Sequence, residues 1–369
     1  MFFLNVENIK LINFRNYSNL DINLNKKTNV FIGKNAQGKT NLLESIYICA
    51  TGKSFRTNRD REIINFDKTQ AYIGANMNIG KYERVIEIKL ERDKIKRIKV
   101  NKTELKNYKE LYTGLNVVVF SPEDLKLVKE GPGERRNFLD LEISQIKPVY
   151  SYNITRYSKV LYQRNNLLKS NKFQKDIKSL LEIFDLQLAK IGTDVVIERN
   201  NYINNLSEIC NITHNKITLS KEDLELKYSS NINIIDNKSE MEKEYLRKLQ
   251  KNNEKDIECR STCIGPHRDD IIMTINNKDL KTYGSQGQQR TAVLSIKLSE
   301  VELIKKERGI YPILLLDDVF SELDEERRKY LIKSFRDMQT LITVTDAIDL
   351  KEMDHIEKTV FHIENGKLK

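Results

Sequence analysis

The sequence predicts an α/β fold: a head assembled from both ends of the chain, with a mainly helical arm inserted between them. Three observations predict it. Gly33-Lys34-Asn35-Ala36-Gln37-Gly38-Lys39-Thr40 fits the phosphate-loop pattern G-x-x-x-x-G-K-[ST]. Near the other end, the apolar run Ile313-Leu314-Leu315-Leu316 stops on Asp317 and Asp318. Between about 123 and 250 the pattern changes from alternation to helical spacing. A phosphate loop and an acidic strand serve the same phosphates and the same metal ion, so the two chain ends must meet.

The elements follow in order. Residues 2–32 read as strands: Val6, Ile9, Leu11, Ile12 and Phe14 form an edge pattern, Leu20, Ile22 and Leu24 alternate, and Asn29–Ile32 is a buried strand entering the glycine loop. After Thr40, Leu42, Leu43, Ile46 and Tyr47 recur at helical spacing. Residues 71–100 alternate again, with a hairpin turn at Glu91–Lys94, and Leu115–Phe120 is a further strand. Helices are expected over Asn137–Gln145, Val149–Ser170, Lys175–Cys210 and Lys238–Asn252. Ile217–Leu219 and Leu224–Tyr228 suggest a minor strand pair, and Asn231–Lys238 a loop. Strands return at Ile271–Ile275, a helix at 290–307, and strands at Ile313–Leu316, Leu341–Val344 and Val360–Ile363. Heptads are never sustained, which excludes a long coiled coil.

Composition narrows the class. A chain of 369 residues suggests two or three domains, and 39% apolar residues suffice for a core. The net charge of +10 favours a polyanionic partner without naming it, and richness in Asn, Ile and Lys contributes to that balance. Cysteines 49, 210, 259 and 263 form no C-x-x-C pair, and four histidines leave no zinc framework, so free thiols are expected. The apolar Met1-Phe2-Phe3-Leu4 start is too short for a signal peptide. No run reaches the roughly 18 apolar residues of a membrane span. A cytoplasmic protein without a membrane partner is expected.

The chemistry-bearing residues form one set. Gly33 and Gly38 let the backbone wrap a phosphate chain, and the helix from Lys39 turns its amide N–H groups toward it. Lys39 should reach the β and γ phosphates of ATP, and the Thr40 hydroxyl should ligate Mg²⁺. Asp317 emerges at the carboxyl edge of its strand, where ligands bind in open α/β sheets, and suits Mg²⁺. Asp318 points elsewhere and suits the attacking water. Ser285 and Gly287 open a helix, an arrangement that favours an anion.

The order of phosphate loop, distant serine–glycine segment, acidic strand and Ser321-Glu322-Leu323-Asp324 resembles the ABC-type head ATPases of the SMC-like class. Within it the chain resembles the RecF family of bacterial recombinational repair proteins. The matching blocks are Leu11–Tyr17, Gly38–Glu44, Gly52–Thr57, Phe120–Leu125, Arg135–Asp140, Gly265–Asp270 and Gly284–Arg290. The resemblance implies an ABC-type ATPase head, a mixed sheet around the phosphate loop with an antiparallel β part, from residues 1–121 and 259–369. The helical arm takes 122–258. It implies ATP and Mg²⁺ as cofactors, with Arg15, Asn16 and Asn41 joining residues 33–40 around the nucleotide. Two protomers sandwich ATP, so Ser285, Gly287 and Gln288 act on the phosphate held by a partner chain. It further implies an ATP-dependent homodimer on double-stranded DNA near single-strand gaps, weak DNA-stimulated ATPase activity, and work with RecR and RecO-type mediators in recombinase loading and replication restart.

Two departures stand out. Asp318 takes the place of the usual catalytic glutamate, which fits slow turnover. The segment Leu341–Asp346 offers threonines where a switch histidine is usual, and the Glu123–Asp124 region replaces the lid-loop glutamine. Other readings stay open. Arg135 and Arg136 either contact DNA or brace the arm, and His267 and Arg268 lie either at a head interface or in a surface loop. The basic Lys81–Glu110 stretch is either a phosphate groove or a solvated sheet face, while Lys53, Arg56 and Arg59 are candidates for DNA or nucleotide contacts. An energy-coupling ATPase subunit of a membrane transporter is the alternative function; it shares the site parts but not the matching blocks.

Overall fold

The structure, a computed structural model, describes residues 4–170, 177–334, 337–345 and 353–369. Met1–Phe3, the start of the helix expected from Lys175, and Asp346 lie outside the described residues. The chain begins with β1 (Leu4–Phe14), β2 (Tyr17–Asn23), β3 (Thr28–Ile32), α1 (Lys39–Thr51), β4 (Gln70–Ile79), β5 (Tyr82–Glu91), β6 (Arg97–Val100), β7 (Thr103–Glu104) and β8 (Val117–Phe120). There follow α2 (Lys126–Lys129), α3 (Pro132–Ile146), α4 (Pro148–Lys169), α5 (Ile177–Thr218), β9 (Leu224–Ser229), α6 (Lys238–Lys251), α7 (Asn253–Cys259), β10 (Asp270–Ile275) and β11 (Lys278–Asp279). The chain ends with α8 (Leu280–Tyr283), α9 (Gln286–Arg308), β12 (Ile313–Asp317), α10 (Glu325–Ser334), β13 (Thr340–Val344), β14 (Lys358–Glu364) and β15 (Lys367–Leu368).

These elements divide into two compact units, residues 1–124 with 294–369, and residues 125–293. The first is an α/β head of two sheets. One is antiparallel in the order β2-β1-β4-β5-β6-β7; the other runs β15-β14-β3-β13-β12-β8. In the second sheet β14, β3, β13, β12 and β8 are all parallel, and β15 turns back on β14. The parallel strands β3, β12 and β13 are buried along their whole length, which is why they read as unbroken apolar runs. Helix α1 contacts strands of both sheets and is buried on nearly every side, so its sequence shows little polar face. Chain ends are stapled by Gln339, which accepts from the Val6 N–H at 2.7 Å and donates to the carbonyls of Val6 and Asn25.

Hairpin turns obey local chemistry. Asn101-Lys102, Asn276-Asn277 and Asn365-Gly366 all have positive φ at both positions, the condition for a two-residue turn matched to strand twist. Asn is the non-glycine residue that tolerates this region best.

The second unit packs α5 against α4, α6 and β9. The expected strand pair at 217–219 and 224–228 does not form. Ile217 and Thr218 finish α5, Leu219 and Ser220 turn left-handed at φ 55° and 58°, and β9 pairs antiparallel with β10 instead. Strand β10 and the segment after it therefore belong to the same compact unit as the helices, whereas the sequence reading ended the arm at 258.

Polar side chains fill much of this unit's core. Arg164, fully buried, donates to Asp185 (2.8 Å), Asp256 (2.7 Å), Thr262 (2.8 Å) and Asn253 (2.7 Å). Arg199 donates to Tyr150, Asp140 and the Pro266 carbonyl. Arg135 makes a two-pronged pair with Asp270, and Arg136 donates to the Asp269 carbonyl. Both arginines brace the arm. His267 is also inside: its Nδ1 accepts from Tyr157 at 2.8 Å, and Nε2 lies 2.9 Å from the Thr262 carbonyl. Gly265 is required beside it, with φ 135° and the hydroxyls of Tyr245 and Tyr157 within 2.4 Å of any added Cβ.

Two predictions follow from this core. Arg164→Met strands two buried carboxylates and should cost roughly 3–5 kcal/mol in urea unfolding followed by circular dichroism. Burial pushes the His267 imidazole down from 6.5 to about 4. The unfolded chain therefore takes up this proton first as pH falls. Stability from neutral His267 is full above pH 6.5 and is lost as pH falls toward 4. The stability advantage of the parent over His267→Gln should shrink by on the order of 3 kcal/mol across that window.

Candidate nucleotide-binding site

The site stands at the carboxyl edge of the parallel sheet, where β3 runs into the glycine loop and α1 begins. Gly33 has no room for a side chain: a Cβ there would lie 2.4 Å from the Ile363 carbonyl oxygen. Gly38 has φ 115°, and a Cβ would meet the Asn16 amide at 2.7 Å. Helix α1 has no side-chain N-cap, and in any α-helix the first N–H groups lack intrahelical partners. These amides and the helix dipole make an anion cradle.

The loop is held from two directions. Asn16 donates to the Gln37 carbonyl at 2.9 Å and accepts from Asn41 at 2.8 Å, while the Tyr17 hydroxyl donates to the Gly38 carbonyl at 3.0 Å. From the other side the β14–β15 turn donates its Asn365 and Gly366 N–H groups to the Gln37 side chain and carbonyl. Lys34, Asn35 and Ala36 are exposed at the loop's outer rim.

Lys39 donates to the carbonyls of Gly33 and Lys34 across the loop. Partial burial lowers its ammonium pKa, and the charges of Asp318 and Asp317 oppose that shift. The Thr40 hydroxyl donates to Oδ1 of Asp317 at 2.7 Å, joining the two chain ends at the site. Burial raises the Asp317 pKa, against hydrogen bonds from Thr40 and Thr343. Among the described residues no cluster of three or more His, Cys, Asp or Glu could hold a metal. A divalent ion here fits Thr40, Asp317 and phosphate oxygens, the arrangement Mg²⁺ prefers. Asp318 follows in a left-handed turn at φ 54°. Asp124, just before α2, has its pKa raised by burial, with Asp317 among the nearby charges.

Arg15 is committed to the helix behind the loop. It pairs two-pronged with buried Glu44 and donates to the Glu62 carbonyl. Arg56 donates to Asn41 at 2.7 Å. Lys53 lies over the Tyr108 ring, and Arg59 pairs with Glu62. In the Lys81–Glu110 stretch Lys94 and Arg97 pair with Glu91, and Lys96 with Asp60, which favours a solvated sheet face.

In the second unit Ser285 caps α9. Its hydroxyl accepts from the Gln288 N–H at 3.2 Å while its own N–H donates to the Gln288 side chain at 2.9 Å, a reciprocal capping box. Gln288 also donates to Glu222. Ser285 and Gly287 are exposed, and a Cβ added at Gly287 would meet only the Ser285 hydroxyl, at 3.9 Å.

The sequence reading missed three supports of the site. Thr343 donates to Asp317 and accepts from the Asp318 N–H, both at 2.9 Å. The Asn365-Gly366 turn grips Gln37; an Asn-Gly pair between apolar strands was the available signal. Glu44 gathers Arg15 and Ser54 at the back of α1, and nothing in the sequence marks it as buried.

The RecF/RecN/SMC N terminal domain family matches residues 5–369. The DNA replication and repair protein RecF of Alkaliphilus oremlandii is 49% identical over 98% of this chain and 99% of its own length. That of Clostridium beijerinckii is 45% identical over 98% of each. A solved structure of the recombination mediator protein RecF-ATP in the RecFOR pathway superposes with a TM-score of 0.92 at 36% identity, covering 100% of this chain and 99% of that one. The Smc head domain of Pyrococcus furiosus, at 16% identity and TM-score 0.56 over 99% of this chain and 95% of that one, shares the fold. The mixed α/β head with its inserted arm is therefore an ABC-type ATPase head of the SMC-like class, and the chain belongs to the RecF family of DNA replication and repair proteins.

Proposed function

We propose that the chain is an ATP-switched protein that binds double-stranded DNA near single-strand gaps in recombinational repair. The observation that carries this reading is the Thr40–Asp317 hydrogen bond beside Lys39, in a member of the RecF family. It joins the two halves of a triphosphate site. Lys39 and the α1 amides hold the β and γ phosphates, and Thr40 and Asp317 hold Mg²⁺. Asp318 orients the attacking water and accepts its proton as the γ-phosphoryl group leaves ADP.

Ser285, Gly287 and Gln288 serve the phosphate bound by a second protomer, so ATP closes a head-to-head homodimer. The exposure of Ser285 and Gly287 at a capped helix start suits contact with another chain. The closed dimer clamps duplex DNA, and hydrolysis, weak and stimulated by DNA, reopens it. By linkage, ATP and DNA both favour the closed state and so favour each other. RecR and RecO-type mediators would then act with the clamped dimer in loading recombinase and restarting replication, in the cytoplasm.

Sedimentation with ATP, ADP and a non-hydrolysable analogue, with and without duplex DNA, tests the switch. The parent should dimerise with ATP and the analogue and retain DNA only then. Lys39→Ala should lose both responses; a variant that retains DNA with ATP as the parent does would falsify the model. Asp318→Asn should lower ATP turnover by about 100-fold or more while ATP-dependent dimerisation persists, which a phosphate-release assay and sedimentation read separately.

A further inference from the structure

Strand β13 and the residue after it carry threonines close to both acids. The Thr343 hydroxyl is buried, donates to Oδ1 of Asp317 and accepts the backbone N–H of Asp318, each at 2.9 Å. A hydroxyl has one donor and two acceptor positions, so both bonds form at once. Thr345 donates to Oδ1 of Asp318 at 3.1 Å. Asp318 is held left-handed at φ 54°, a region that costs non-glycine residues energy unless neighbours secure it. Thr343 secures its backbone and Thr345 its carboxylate.

We propose that Thr343 and Thr345 are positioning residues for ATP hydrolysis. In place of a histidine that touches the γ-phosphate, the segment after β13 acts through the two acids. Thr343 aligns the cation-binding carboxylate with the turn that presents Asp318, and Thr345 aims the Asp318 carboxylate at the water. The inference rests on the proposed roles of Asp317 and Asp318.

Thr345→Val removes the donor and keeps the shape. It should lower kcat about tenfold, the effect of one hydrogen bond to a charged group, with KM, ATP affinity and ATP-dependent dimerisation as in the parent. Thr345→Ser restores the donor and should recover most of the turnover. Thr343→Val loosens both acids and should also raise the Mg²⁺ half-saturation in a fluorescent-nucleotide binding titration, a readout independent of turnover. The outcomes separate two failures. If Asp318→Asn turns over like the parent, the assignment of Asp318 falls and this inference with it. If Asp318→Asn is inactive but Thr345→Val keeps parental kcat, or if the Ser and Val variants lose activity equally, the positioning role alone is overturned.

Discussion

Everything at the site depends on β3 being hydrogen-bonded on both sides by strands from the far end of the chain. β13 lies on one side and β14 on the other, both parallel to it. The register sets the chemistry: Val344 stands beside Ile32, and Thr343 beside Asp317. Side chains alternate across a strand, so a slip of one residue would turn Thr343 away from Asp317 and Asp317 away from Thr40. The register is secured at the far end of the strands by Gln339, which bonds Val6 and Asn25, and next to the loop by the stack of Phe31 on Phe361 at 5.3 Å. A long insertion between the halves is tolerable because loop-closure entropy grows only with the logarithm of length. The phosphate loop also cannot be fully supported until residues 340–368 exist, since its hydrogen bonds from Asn365 and Gly366 arise there.

The arm solves a different problem. Its unit is rich in buried charge, and the buried Arg135, Arg164 and Arg199 each meet a carboxylate. Burial raises the Asp185 pKa, and the Arg164 guanidinium beside it pulls it back. Such networks add little net stability over an apolar core of equal volume, yet losing one member leaves a stranded charge. They also define one arrangement: the planar Arg164 fork meets α5, α7 and the Thr262 segment only in a single orientation. Gly265 belongs to the same logic, since the paired tyrosine hydroxyls occupy the space of a side chain.

What the sequence made legible follows from period and spacing. The phosphate loop, the buried strand Ile313–Leu316 and the amphipathic helices each announce themselves within a few residues, and the joining of chain ends follows from chemistry. Burial of polar residues does not announce itself. Arg135, Arg136 and His267 look like surface groups by type, yet Arg135 is buried against Asp270, and the half-buried Arg136 and His267 are held by the Asp269 carbonyl and Tyr157. The misread strand at 217–219 has the same origin: a short apolar run fits a strand or a helix end equally, and tertiary pairing of β9 with β10 decides.

The aspartate at 318 also acquires a local reason. Glutamate would carry the carboxylate farther from the backbone, but the chain turns left-handed there, and Asp and Asn enter that region more readily than longer side chains. A short side chain and a left-handed turn are thus compatible choices at this position. The Thr343 hydroxyl makes the turn affordable by satisfying its N–H, and the same hydroxyl reads the neighbouring Asp317. The two carboxylates are therefore not independent groups at a strand edge. They share one buried side chain on β13, the Thr343 hydroxyl, which bonds the carboxylate of Asp317 and the backbone N–H of Asp318.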